Sequence, residues 1–117
     1  MSTPKYGRGT MILCMCPQAD TGISSLHPAL IVGDAIENLN NDYIAVQCTS
    51  RRWNGRTDVW LSATDADFVG LGLAVPSTIR CHKLFPVAAS RVQSKIGHAS
   101  DSLMKRVEAA LRAALSL

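Results

Sequence analysis

Only one segment of this chain has a helical period, and it is the last. Leu103, Val107, Ala110, Leu111 and Ala114 recur at i, i+4, i+7, i+8 and i+11, one apolar stripe of an amphipathic helix over 101–116. Lys105, Arg106 and Arg112 fall off that stripe. Ser100 is a suitable N-cap, and Asp101 puts negative charge in the first turn, where the helix dipole favours it. Everything upstream breaks into short apolar or alternating runs, which strands require. Several strands followed by one terminal helix predict a mostly β, α+β domain: a small barrel or twisted antiparallel sheet with the helix packed on it.

The runs can be placed. MILCMC at 11–16 suits a buried strand, PALIVG at 28–33 a second, and YIAVQCTS at 43–50 a third. Residues 17–25 and 34–42 are rich in loop formers, although 34–42 could also hold a helical turn. Asn54–Gly55 signals a hairpin turn, with 57–63 as the returning strand. Residues 78–85 alternate again, and 94–96 read as a last short strand.

The 117 residues make one domain, 1–117. Hydrophobic residues reach 47%, which excludes disorder. Charged residues are only 18%, below the roughly 25% of an average soluble domain, so a surface shared with a second copy is expected. The net charge of +3 is compatible with a polyanionic partner. No run approaches the ~18 apolar residues of a membrane span, and residues 1–10 lack the apolar core of a signal peptide. A reducing cytoplasm is therefore expected, with the four cysteines as thiols.

Two clusters bear on chemistry. Arg51, Arg52, Trp53, Asn54, Gly55 and Arg56 form the most basic stretch. Arginines with an indole are a common grip on single-stranded RNA, charge on the phosphates and a ring against the bases. Cys14 and Cys16 share a strand face, and Cys81–His82 could complete a zinc set. That spacing is not the usual Cys-x₂₋₄-Cys, so core thiols are the expectation.

The order of motifs resembles the MazF/PemK toxins, whose small SH3-like barrel is shared with the CcdB and Kid toxins. The matching stretches are Arg8–Gly9, HPALIV at 27–32, CTS at 48–50, TIRCHKL at 78–84 and KIGHASDSLMKRVEAALRAAL at 95–115. The resemblance implies a homodimeric toxin of a type II toxin–antitoxin pair. It implies an endoribonuclease that inhibits growth by cleaving single-stranded RNA. It needs no metal or cofactor, uses the substrate's own 2′-hydroxyl, and is blocked by an antitoxin.

By the same resemblance, Thr49 matches the hydroxyl near the scissile phosphate and Arg80 the phosphate-stabilising arginine. His27 stands where most of the family has arginine, and His82 where the PemK branch has aspartate. The two imidazoles either replace those groups as an acid–base pair or mark a lost site; histidine titrates in the right range for the first. The loop at 17–26 has Gly22, Ile23, Ser24 and Ser25 where the family often carries a glutamate. Arg51, Arg52, Trp53 and Arg56 fall in the loop that flanks the family's RNA channel. Two alternatives stay open: an inert RNA- or protein-binding module on this fold, and a CcdB-like gyrase poison. The latter would need a C-terminal tryptophan, and here the chain ends in ALRAALSL.

Overall fold

The computed structural model describes residues 5–17, 22, 24–35, 37 and 40–117. These form β1 (Thr10–Pro17), β2 (Ser24–Gly33), β3 (Asp42–Thr49), β4 (Asp58–Leu61), β5 (Ser77–Ala88), β6 (Val92–His98) and α1 (Asp101–Leu115). All neighbours pair antiparallel in the order β4-β5-β3-β2-β1-β6. β4 and β6 end the row, so the sheet is open; of the two expected forms it is the sheet and not the barrel.

Alternation gives both faces an apolar patch. On one side Met11, Leu30, Val46 and Ile79 pack against Leu103, Val107 and Ala110 of α1. On the other, Ile12, Ala29, Ile31, Tyr43, Ala45 and Phe85 form a second cluster without the helix. Leu103 and Val107 are fully buried, which contributes about 1.5–3 kcal/mol each. Leu103→Ala would remove that and leave a cavity, at a cost of about 2–5 kcal/mol.

Ser100 caps α1 as expected: its Oγ accepts the Leu103 amide at 3.1 Å and donates to Asp67 Oδ1 at 2.8 Å. Arg106 then reaches Asp65 and Asp67, each at 3.0 Å, and ties the 65–68 turn to the helix. The following segment crosses close over β6. A Cβ on Gly72, at φ +73°, would lie 1.8 Å from the Ile96 carbonyl oxygen, so only glycine fits.

β2, β5 and β6 all run beyond their predicted bounds, and β2 and β5 do so through a proline. Pro28 lies in β2 beyond Ala29↔Gln47, the last β2–β3 pair. Pro86 lies in β5 beyond Arg80, where β4 stops pairing. Each proline therefore has an open side, where the missing N–H costs no ladder bond.

The predicted Asn54–Gly55 hairpin does not form: the chain turns one step later, at Gly55–Asp58, where the Asp58 amide donates to the Gly55 carbonyl at 3.1 Å. β3 and β4 are not partners, because β5 lies between them. Residues 50–57 instead cross the end of β5 and set β4 on its far side. Of the 17–26 and 34–42 loops, residues 18–21, 23, 36, 38 and 39 lie outside the described set.

Candidate RNA-binding face

Register builds the site. Gln47 is the partner of Ala29 on β2 and of Arg80 on β5, and Arg80 is the partner of Asp58 on β4. Ala29, Gln47, Arg80 and Asp58 thus make one row across four strands. Two residues along lies a parallel row of Thr49, Thr78 and Trp60. Side chains two apart share a face, and Ala29 belongs to the cluster away from α1. Arg80 and Thr49 therefore stand on the helix-free face, and His27, two residues from Ala29, starts on the same side of β2.

Arg80 is held on two sides. Its Nε donates to Asp58 Oδ1 at 3.2 Å, with the side chains 14% and 5% exposed. Its guanidinium lies 3.9 Å from the centre of the Trp53 ring, and that of Arg51 lies 5.0 Å away. Trp53 is thus half-buried under cations, not an indole standing free at a loop tip. Asp58 Oδ2 also accepts the Gly55 amide at 2.9 Å, which fixes the tight turn.

Buried Thr78 anchors the loop. Its hydroxyl donates to the Arg51 carbonyl at 2.8 Å and accepts the Trp53 amide at 3.1 Å. Thr49 Oγ1 accepts the Arg51 amide at 3.2 Å, so that hydroxyl also shapes the loop. Arg52 lies 5.3 Å over the ring of Trp60. Arg56 is exposed and lines a groove between β4 and α1 with Trp60 and Arg106.

His82 Nδ1 faces the Thr57 hydroxyl at 3.4 Å. Partial desolvation of this otherwise exposed ring, reinforced by the charges of Arg80 and Lys83 against the opposing pull of Asp58, lowers its pKa and favours the neutral imidazole. β5 changes partner at this point. Val46 pairs with Leu84 and Gln47 with Arg80, so Cys81, His82 and Lys83 form a bulge, and the Cys81 amide goes to the Thr57 carbonyl. Bulges re-aim side chains in this way.

His27 and Thr49 line a separate cavity of about 210 Å³ with Ser50 and Ser77. The expected quartet is thus split: His27 with Thr49 in one hollow, Arg80 and His82 around Asp58 and Thr57. Asp58, Thr57, Thr78 and Gln47 are additions that sequence reasoning missed. The zinc set does not assemble. Cys14 and Cys16, with Sγ atoms 3.9 Å apart, belong to the helix-free cluster, and Cys81 belongs to the helix side. Burial, together with the Asp58 charge, pushes the Cys81 thiol up to about 12.

A profile of the family described as PemK-like, MazF-like toxin of type II toxin–antitoxin system matches residues 7–115. No curated protein sequence matches the chain significantly. Solved structures share the fold. An endoribonuclease in complex with its cognate antitoxin, from a mycobacterial species, superposes with TM-score 0.72 at 21% identity, over 96% of each chain. MazF from Deinococcus radiodurans gives 0.71 at 21%, over 96% of this chain and 97% of that one. The Mycobacterium tuberculosis toxin MazF-mt6 gives 0.68 at 18%, over 91% and 97%.

Proposed function

This chain belongs to the PemK-like, MazF-like toxin family of type II toxin–antitoxin systems, and from that membership we propose that it is a cytoplasmic toxin endoribonuclease acting on single-stranded RNA without a metal. The observation that carries the reading is the Arg80 cluster: an arginine anchored through Nε by Asp58 and backed by Trp53, on one sheet face with Thr49. Anchoring through Nε leaves the terminal nitrogens, the fork that suits phosphate oxygens.

In this mechanism neutral His82 takes the proton of the substrate's 2′-hydroxyl. The 2′-oxygen attacks phosphorus, and the bond to the 5′-oxygen breaks. Arg80 stabilises the charge growing on the phosphate, and the RNA spans to the neighbouring hollow, from which His27 supplies the proton to that leaving oxygen and the Thr49 hydroxyl donates to the phosphate. The products are a 2′,3′-cyclic phosphate and a 5′-hydroxyl. Arg51, Arg52 and Arg56 hold the flanking phosphates.

A homodimer completes the reading. Met15 and Leu26 are cross-strand partners on β1 and β2 and are 48% and 45% exposed, an apolar pair that a second copy would cover. The expected regulator is an antitoxin protein; the mycobacterial relative is described in complex with its own.

The test is a diverse single-stranded RNA pool incubated in excess EDTA with the ends of the products mapped. Cyclic-phosphate ends that disappear in Arg80→Leu support the proposal. Intact RNA that nonetheless binds would support the second reading, an inert module, which the pairing of Arg80 with an internal carboxylate favours.

A further inference from the structure

The bulge in β5 opens a cavity of which the proposed mechanism uses only one wall residue, His82. It measures about 290 Å³ and is lined by Pro17, Gln47, His82, Lys83, Leu84 and Phe85. Its origin is the three-residue register step. Cys81, His82 and Lys83 have no partner on β3, so the strands part between Gln47 and Leu84. The walls are of two kinds. Pro17, Leu84 and Phe85 are apolar, with Phe85 93% buried, while Gln47, Lys83 and His82 supply an amide, an ammonium and an imidazole.

Gln47 is the informative residue. It is 9% exposed, yet it is polar and lies in a strand among Val46, Cys48 and Ala45. Its Nε2 donates to the Pro17 carbonyl at 2.6 Å. That bond uses one amide hydrogen and fixes which way the carboxamide points. Among the described residues nothing else bonds the carboxamide, so Nε2 offers a second hydrogen and Oε1 its lone pairs, a donor and an acceptor side by side. Gln47 is also the cross-strand partner of Arg80, and directly opposed side chains in a ladder lie about 5 Å apart at Cβ. Whatever fills this cavity is next to whatever Arg80 holds.

A small hollow with an aromatic wall, a fixed donor–acceptor edge and a flanking cation suits one planar heterocycle carrying an anion. At about 300 Å³ it is at the lower limit of ligand pockets. Proteins that read single-stranded RNA splay out a base, pack it on an aromatic side chain and bond its edge. We propose that this cavity takes a single unstacked RNA base next to the phosphate held by Arg80, and that Gln47 reads the edge of that base. The inference rests on the reading of this face as an RNA-cleaving site, and it makes Gln47 a specificity residue outside the reacting groups.

The test has two arms. In the first, a randomised single-stranded RNA pool is cut by the wild type and by Gln47→Leu, and the product ends are sequenced. The wild type is expected to prefer certain bases at one position beside the cut. Gln47→Leu should reduce that preference to within about twofold, since the hydrogen-bond difference is removed, and leave other positions unchanged. An unchanged preference at every position overturns the proposal.

In the second arm, the full chain is titrated with the four nucleoside 5′-monophosphates while the Gln47 side-chain amide and Phe85 ring signals are followed by NMR. Leu84→Trp, at a 39% exposed rim position, fills the cavity without touching the core and should abolish the response. If the wild type cuts no RNA but the signals shift and saturate, the ribonuclease reading fails and the base pocket stands. If none of the nucleotides shifts them, the pocket is overturned.

Discussion

The guanidinium of Arg80 lies 3.9 Å from the centre of the Trp53 ring, and its Nε is bonded to Asp58. An arginine held this way loses little freedom when it meets a phosphate, because its geometry is already set. Trp53→Leu removes the stack and should cost about 0.5–2 kcal/mol of stability. It should also lower the RNA cleavage rate more than RNA affinity, since Arg80 keeps its charge but not its position. Urea unfolding and single-turnover kinetics measure the two effects. An affinity loss with an unchanged rate would show that Trp53 contacts RNA instead of supporting Arg80.

Thr78 tests the loop anchor separately. Its hydroxyl is fully buried and serves both Arg51 and Trp53. Thr78→Val keeps the volume and leaves a buried carbonyl and amide without that partner, at about 1–3 kcal/mol. The Trp53 amide should then exchange hydrogen faster, while the amides under α1 keep their protection. Equal exchange at Trp53 in both proteins would remove Thr78 from the account.

These two residues mark how far the sequence could be read. Periodicity shows α1, and short apolar runs show β1 and β3, because both faces of those strands are covered by a cluster. It shortens β2 and β5, because Pro28 and Pro86 read as breakers until the open side of each strand is known. It misplaces β4, because the chain turns at Gly55–Asp58 and the strands on either side of that turn are separated by β5. Thr49 and Arg80 are legible as residue types in a familiar order of motifs. Asp58, Thr78 and Gln47 are not, because their roles exist only across the ladder, where Gln47, Arg80 and Asp58 fall in one row.

His82 gives a pH test. Partial desolvation and the charge of Arg80 hold its pKa below the ordinary imidazole value of about 6.5. As a base it must be neutral, so cleavage should rise with pH through a limb below that value. Lys83→Gln removes one opposing charge and should move the limb upward. Stability follows the same sign. The unfolded imidazole takes its proton first, so His82 destabilises the fold as pH drops from about 6.5 toward the folded value. NMR titration of His82 checks both; a pKa above 6.5 would sink the assignment as base.

The helix cap makes a prediction in the acid range. The Ser100 hydroxyl, followed by Arg106, holds the Asp67 carboxyl below the usual carboxylate range. Its contribution is present above the unfolded carboxylate pKa and is lost as pH falls through the lower folded value. Ser100→Ala should cost about 1 kcal/mol through the lost cap and raise the Asp67 pKa toward normal. Thermal unfolding at neutral pH and at pH 3 should show the larger penalty at neutral pH. An equal penalty at both would mean that the cap acts on the Leu103 amide alone.

The remaining arginines differ from Arg80 in being exposed. Arg51, Arg52 and Arg56 sit on the loop that Thr78 and Asp58 pin down, and no carboxylate pairs with any of them among the described residues. Free cations on a fixed loop are suited to flanking phosphates, whereas Arg80 is already oriented for one. Each phosphate contact on single-stranded RNA contributes about 0.7 to the slope of log affinity against log salt. Replacing Arg51, Arg52 and Arg56 together with alanine should flatten that slope by about 2. The cleavage rate at saturating RNA should hold, because the Arg80 anchor is untouched. Arg80→Leu should do the reverse, with a rate loss of at least about tenfold and a slope change of about one contact. If the triple variant keeps the wild-type slope, the basic loop does not bind RNA and its charge serves another purpose.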